Sequence, residues 1–287
     1  MMLLPRLQER QLAFAMMVWA CILSPNPALC EPLSNQIAIS YGEAGTPSQE
    51  SLLEVLKRRQ ALEKLQEIFS PFKLPAKLTL RTVDCKGQIN AWYYRSSVIV
   101  CYEYLDQIRN HLPKDENGPI TPSDAIVGQF LYVFAHEMGH AVFDLLSVPV
   151  FGRREDAADH FAAFVMLQFQ KSDARRLIGG AAHAYDQILR APVITEPLEA
   201  YSDAHSLPAQ RFYNLLCMAY GSDPELFADV VERGYLPKSR TASCKTEYGE
   251  VAYAFYKLVS PHVDHALAKS VLQKTLLPSN VLKPSHW

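Results

Sequence analysis

The stretch "FAHEMGHAVFD", residues 134–144, decides how the chain is read. It sets two histidines four apart with a glutamate between them. On a helix, His136 and His140 lie one turn apart and only about 40° around the axis, so both imidazoles reach one ion. Glu137 lies about 100° from His136 and about 60° from His140, beside such an ion rather than on it. A carboxylate in that position takes a proton from a water at the metal. Nine histidines in one chain make a chance spelling of H-E-x-x-H a real alternative, so the context must decide.

The first context is the helix itself. Residues 124–146 contain no proline and supply Ile126, Val127, Phe130, Leu131, Val133, Phe134, Ala141, Val142 and Leu145. A helix apolar on most sides is central in its fold. Two histidines and a glutamate buried there need partners, because unpaired buried polar groups are costly. A metal with its water satisfies all three together. The alternative is a set of core histidines bonded to backbone or to Asp144. Ser123 or Asp124 is expected to cap the helix.

A catalytic zinc takes three protein ligands and keeps one open position. The segment "GRREDAADHFAAF", residues 152–164, offers the third. Glu155 and Asp159 are four apart, on one face of a second helix. Glu155, in the first turn, is expected to ligate one Zn2+ with His136 and His140. Asp159, one turn deeper, is expected to accept from the ring N–H of His136 and fix its tautomer. Asp156, Asp159 and His160 are the other candidates for the third ligand. Acids in a first helical turn also favour the dipole, but that does not explain Asp159 beside the apolar run 161–166.

Around this pair the pattern reads as α+β. An amphipathic helix is expected over 50–69, and strands over 76–85, 89–95 and 97–105, the last running into a helix. Residues 114–124 read as a loop. Further helices are expected over 154–171, 173–189, 207–220, 224–233, 246–259 and 262–275, punctuated by prolines. The domain is read as 48–287, after a Ser-, Pro- and Gly-rich leader at 31–47.

The N-terminus is of another kind. Arg6 and Arg10 precede the apolar run "LAFAMMVWACIL", and small residues follow at Ala28 and Cys30. This reads as a signal peptide over 1–30, too short to span a bilayer. Lipidation of Cys30 is an alternative that Leu29 disfavours. Export to the periplasm or the extracellular space follows, with no spanning segment in the mature chain. Four cysteines then remain, and disulfides Cys85–Cys101 and Cys217–Cys244 are expected, each bracketing a short excursion. A zinc held by all four cysteines is the rival, but no CxxC supports it. A formal net charge of −2 gives no basic surface for nucleic acid.

H-E-x-x-H followed by E-x-x-x-D on a second helix resembles the gluzincin zinc peptidases. The resemblance implies a zincin-like fold: a small N-terminal sheet packed on a helical body, with the H-E-x-x-H helix at its centre. It implies zinc on His136, His140 and Glu155, Glu137 as base and Asp159 as the group orienting a histidine. Only fourteen residues separate His140 from Glu155, fewer than in larger gluzincins. From about Leu78 to Pro261 the chain is also similar to a family of secreted bacterial metallopeptidases of unknown substrate. "INAWYY", "VIVCYEYL", "HSLPAQRFYNLLCMAYGSDPE" and "LPKSRTASCKTEY" carry that similarity.

The implied activity is hydrolysis of a peptide by a zinc-activated water. His205, Arg211 and Tyr213 are candidates to donate to the oxyanion, with His205 preferred. "NAWY" is similar to the edge strand that zinc peptidases use to hold substrate backbone, so Asn90 and Ala91 are expected to line the cleft. A zinc amidase acting on cell-wall peptide and a non-catalytic binding protein are the competing readings. The intact Glu137 argues against the second.

Overall fold

Among the described residues, four short strands form one sheet. They are β1 (Ile37–Tyr41), β2 (Leu78–Val83), β3 (Ala91–Tyr94) and β4 (Ser97–Cys101), in the order β1-β2-β4-β3. The computed structural model describes residues 36–189, the last four of that span as backbone, and residues 197–277. The expected signal peptide at 1–30, with Cys30, lies outside the described residues. β1, β2 and β4 run parallel, and β3 turns back antiparallel on β4.

β1 corrects the expectation of a leader over 31–47. Ile37 is buried, and the strand pairs with β2, some forty residues on. That partner is non-local, so the Ser, Pro and Gly around the strand dominated its local appearance. The helix expected over 50–69 is also two helices, α1 (Pro47–Arg58) and α2 (Ala61–Phe69). They break at Gln60, whose φ is 53°. Tyr41 on β1 secures the break: its hydroxyl accepts from Leu62 N at 3.0 Å and donates to Glu63 at 2.7 Å. A side chain from the sheet thus satisfies an unpaired N–H in the first turn of α2.

β3 and β4 are joined through Arg95 and Ser96, with φ of 46° and 56°. Two consecutive left-handed residues give the turn type whose twist suits a two-residue hairpin. β4 runs into α3 (Tyr102–Asn110). The long helix α4 (Pro122–Leu145) then carries the histidines across the centre of the fold. Thr121, not Ser123 or Asp124, caps it. Thr121 Oγ1 accepts from Asp124 N at 3.2 Å, and the Asp124 carboxylate accepts from Thr121 N at 3.1 Å. This reciprocal pair satisfies two N–H groups where either residue alone satisfies one.

The sheet covers one side of α4. On the other lie α5 (Arg154–Leu167) and α6 (Lys171–Leu189). Two glycines set how closely they approach. A Cβ on Gly180 of α6 would fall 1.8 Å from the carbonyl oxygen of Asp124. A Cβ on Gly139, inside "HEMGH", would meet Ala158 and Phe161 of α5 at 3.2–3.3 Å. Gly139 therefore lets α5 come close enough for its first two turns to reach the histidines. Among the described residues, the further α-helices are α7 (Pro208–Ser222), α8 (Ala228–Glu232), α9 (Thr241–Leu258) and α10 (His265–Leu272).

Both expected disulfides form. Cys85–Cys101 ties the loop after β2 to the end of β4, and Cys217–Cys244 ties α7 to α9. Bridges closing loops of 16 and 27 residues each contribute about 3 kcal/mol by restricting the unfolded chain. Among the described residues, no helix is long and apolar enough to cross a membrane.

Candidate active site

Three side chains from two helices converge at the middle of α4. His136 Nε2 lies 3.1 Å from Glu155 Oε2, and His140 Nε2 lies 3.2 Å from the same oxygen. Both histidines project from one face of α4, as their spacing dictates. Glu155 comes from the first turn of α5, where its carboxylate clears the helix end. The three donor atoms lie within 4.8 Å of one another, close enough to hold a metal ion. Two imidazole nitrogens and a carboxylate oxygen are a donor set that suits zinc.

The far side of His136 is fixed. Its Nδ1 lies 2.7 Å from Asp159 Oδ1, so the proton sits on Nδ1 and Nε2 is left for an ion. Arg211 of α7 holds Asp159 in turn, through Nε to Oδ2 and Nη2 to Oδ1, both at 2.7 Å. Burial alone would raise the Asp159 carboxyl, but His136 and Arg211 outweigh it and hold it well below the usual carboxylate range. His136 is the reverse case. Burial pulls its pKa down, while Asp159 and Glu155 lift it to about 9. His136, then His140 and His205, keep Glu155 ionised. Without a metal these groups form a cluster of shared protons around one carboxylate oxygen.

Glu137 is buried beside this cluster, 6 % exposed. Burial raises its pKa, and the neighbouring histidines offset that only in part. The main chain of Tyr93, on edge strand β3, faces its carboxylate. The register explains why. Cys101 N donates to Asn90 O at 3.1 Å, which makes Asn90–Cys101 and Trp92–Ile99 the bonded pairs. Ala91 and Tyr93 therefore turn their main-chain groups to the open edge. Asn90 does not, and its side chain instead accepts from Ala91 N at 2.9 Å. The Tyr93 hydroxyl donates to Asp144 of α4 at 2.8 Å, fixing the edge strand against that helix.

His205 also reaches the cluster, with Nε2 3.0 Å from Glu155 Oε2. Asp203 orients it by accepting from its backbone N at 2.7 Å and pairing with Nδ1 at 3.1 Å. The segment is pinned to the start of α5. Arg153 donates to Ser206 and to the Asp203 carbonyl, and Ser206 donates to Asp156 at 2.6 Å.

Of the other candidates for the third ligand, Asp156 is engaged with Ser206 and Asp159 with Arg211. His160 is half-buried, its loss of solvent lowers its pKa, and it lies outside the converging set. Arg211, a candidate oxyanion donor, instead commits two nitrogens to Asp159. Tyr213 packs edge-on against Phe212. Sequence reasoning missed Asp203, Ser206 and Tyr93. An acid two residues before His205, in "SDAHS", was the available signal for the first.

No curated protein matches the chain, and no solved structure matches it. A family model described as "Putative metallopeptidase" (DUF4344) matches residues 41–259, from the last residue of β1 through α9. That span takes in α4 and α5, the edge strand and both disulfides, and the chain belongs to this metallopeptidase family.

Proposed function

We propose that the protein is an exported, zinc-dependent peptidase. The carrying observation is the convergence of His136, His140 and Glu155 beside the buried Glu137, which lies outside that group. A zinc ion held by these three residues would acidify a water and polarise the scissile carbonyl. Glu137 takes the proton from the attacking water and returns it to the leaving amine. Its raised pKa suits both halves of that task. Asp159, clamped by Arg211, keeps the Nδ1 proton of His136 in place. His205, aligned by Asp203, donates to the oxyanion as it forms. Ala91 and Tyr93 on the open edge of β3 take the substrate backbone as an added strand, and Asn90 shapes the entry to it.

Two disulfides support an oxidising destination, reached through a signal peptide over residues 1–30, with β1 already part of the mature domain. Metal analysis of the full chain, purified with metal supplied, tests the centre. About one zinc per chain is expected in the wild type and none in His140→Ala. A wild-type chain without stoichiometric metal overturns the reading.

A further inference from the structure

The last turn of α4 carries an acid that its helix does not favour. Asp144 sits at the end where the helix dipole is negative and a carboxylate is disfavoured. No basic residue shares that turn, and among the described residues no cation pairs with Asp144. It is exposed, so core packing does not account for it. What it holds is Tyr93, whose hydroxyl donates to Oδ2 at 2.8 Å. His136, His140 and Asp144 recur every four residues along α4, about 6 Å apart on nearly the same face. The bond from the sheet thus lands one turn beyond His140, on the side that carries both histidines.

The strand at the other end of that bond has little else to fix it. β3 is four residues long and pairs with β4 alone. Residues 86–90 before it are exposed, and the turn after it holds Arg95 and Ser96 in the left-handed region that side chains disfavour. A hairpin of this kind is marginal without packing behind it. Pairing with Val98 puts the Tyr93 ring on the buried face of the sheet, and its hydroxyl goes on to α4. Burial and Asp144 push that phenol up to about 12, so it stays a donor at neutral pH. The main chain of the same residue faces the open edge. Tyr93 therefore joins the strand edge to α4.

We propose that Asp144 is a positioning residue: through the Tyr93 hydroxyl it sets the edge of β3 against the histidine-bearing side of α4, so that its loss weakens peptide binding without disturbing the ion. The proposal rests on the peptidase reading for its consequence. The test uses the zinc-loaded full chain and labelled casein, an unfolded protein, as substrate. Asp144→Ala should raise KM about fivefold, the scale of one hydrogen bond, with kcat within about twofold and zinc content unchanged. Asp144→Asn keeps an oxygen for the hydroxyl and should return KM close to the wild-type value. Tyr93→Phe should match Asp144→Ala, and the double variant should be no worse than either.

An unchanged KM in Asp144→Ala overturns the proposal. So does Asp144→Asn as impaired as Asp144→Ala, because the charge and not the bond would then be acting. Zinc content or kcat falling in step with the rise in KM overturns it too. A wild type that holds no zinc or cuts no casein counts against the peptidase reading instead, and hydrogen exchange then judges the tether. Amides of residues 90–94 should exchange about fivefold faster in Asp144→Ala than in the wild type and in Asp144→Asn. Equal rates in all three overturn the proposal.

Discussion

The carboxylate of Asp159 joins His136 to Arg211, meeting Nδ1 of His136 at 2.7 Å and both Nε and Nη2 of Arg211 at the same distance. One acid thus sets the tautomer of a ligand and balances a largely buried guanidinium. Asp159→Asn should weaken metal binding by about 10- to 100-fold, read by competition against a chelator of known affinity. It should also destabilise the fold by about 3–5 kcal/mol, because Arg211 loses its counter-charge. Asp159→Asn with Arg211→Met should recover much of the stability and none of the affinity. Affinity recovering together with stability would mean that Asp159 acts only as packing.

The metal-free cluster should show a distinct pH dependence. The folded pKa of His136, about 9, lies above its ordinary 6.5. Its contribution to stability is therefore complete below pH 6.5 and lost as pH rises through 9. The chelated protein should melt at lower temperature at pH 9 than at pH 6.5. Metal binding displaces that proton, so affinity should rise over the same interval. Equal melting temperatures of the chelated protein at the two pH values would contradict the proton-sharing cluster.

The backbone approach of α6 to α4 predicts a sharp contrast between two glycines. Gly180→Ala puts a Cβ within 1.8 Å of the Asp124 carbonyl oxygen and should cost about 1–3 kcal/mol or more. Gly249→Ala, in the interior of α9, meets nothing within 4 Å and should gain up to about 1 kcal/mol from helix propensity. Thermal melts of the two variants shifting in the same direction would contradict the packing described.

The site was legible where its chemistry is local. The spacings of His136, Glu137 and His140, and of Glu155 and Asp159, are properties of one helical face each. Gly139 in the motif, and the second acidic helix soon after it, bring those faces together. What escaped the sequence is what distant segments supply. β1 was hidden because its pairing partner comes some forty residues later. The break at Gln60 depends on Tyr41 from another element. Asp203, Ser206 and Tyr93 reach the site through contacts between segments, and Arg211 was weighed as an oxyanion donor because nothing local ties it to Asp159. β3 does lie at the edge of the sheet, and pairing parity turns the backbone of Ala91 and Tyr93, rather than of Asn90, outward.

The central claim is that Glu137 serves the reaction without holding the ion. Glu137→Gln preserves shape and removes the base. The direct measurement is metal content and peptide hydrolysis on the same preparation of this variant and the wild type. Full metal occupancy with hydrolysis reduced by about a hundredfold or more is the predicted result. Full occupancy with undiminished hydrolysis would contradict it.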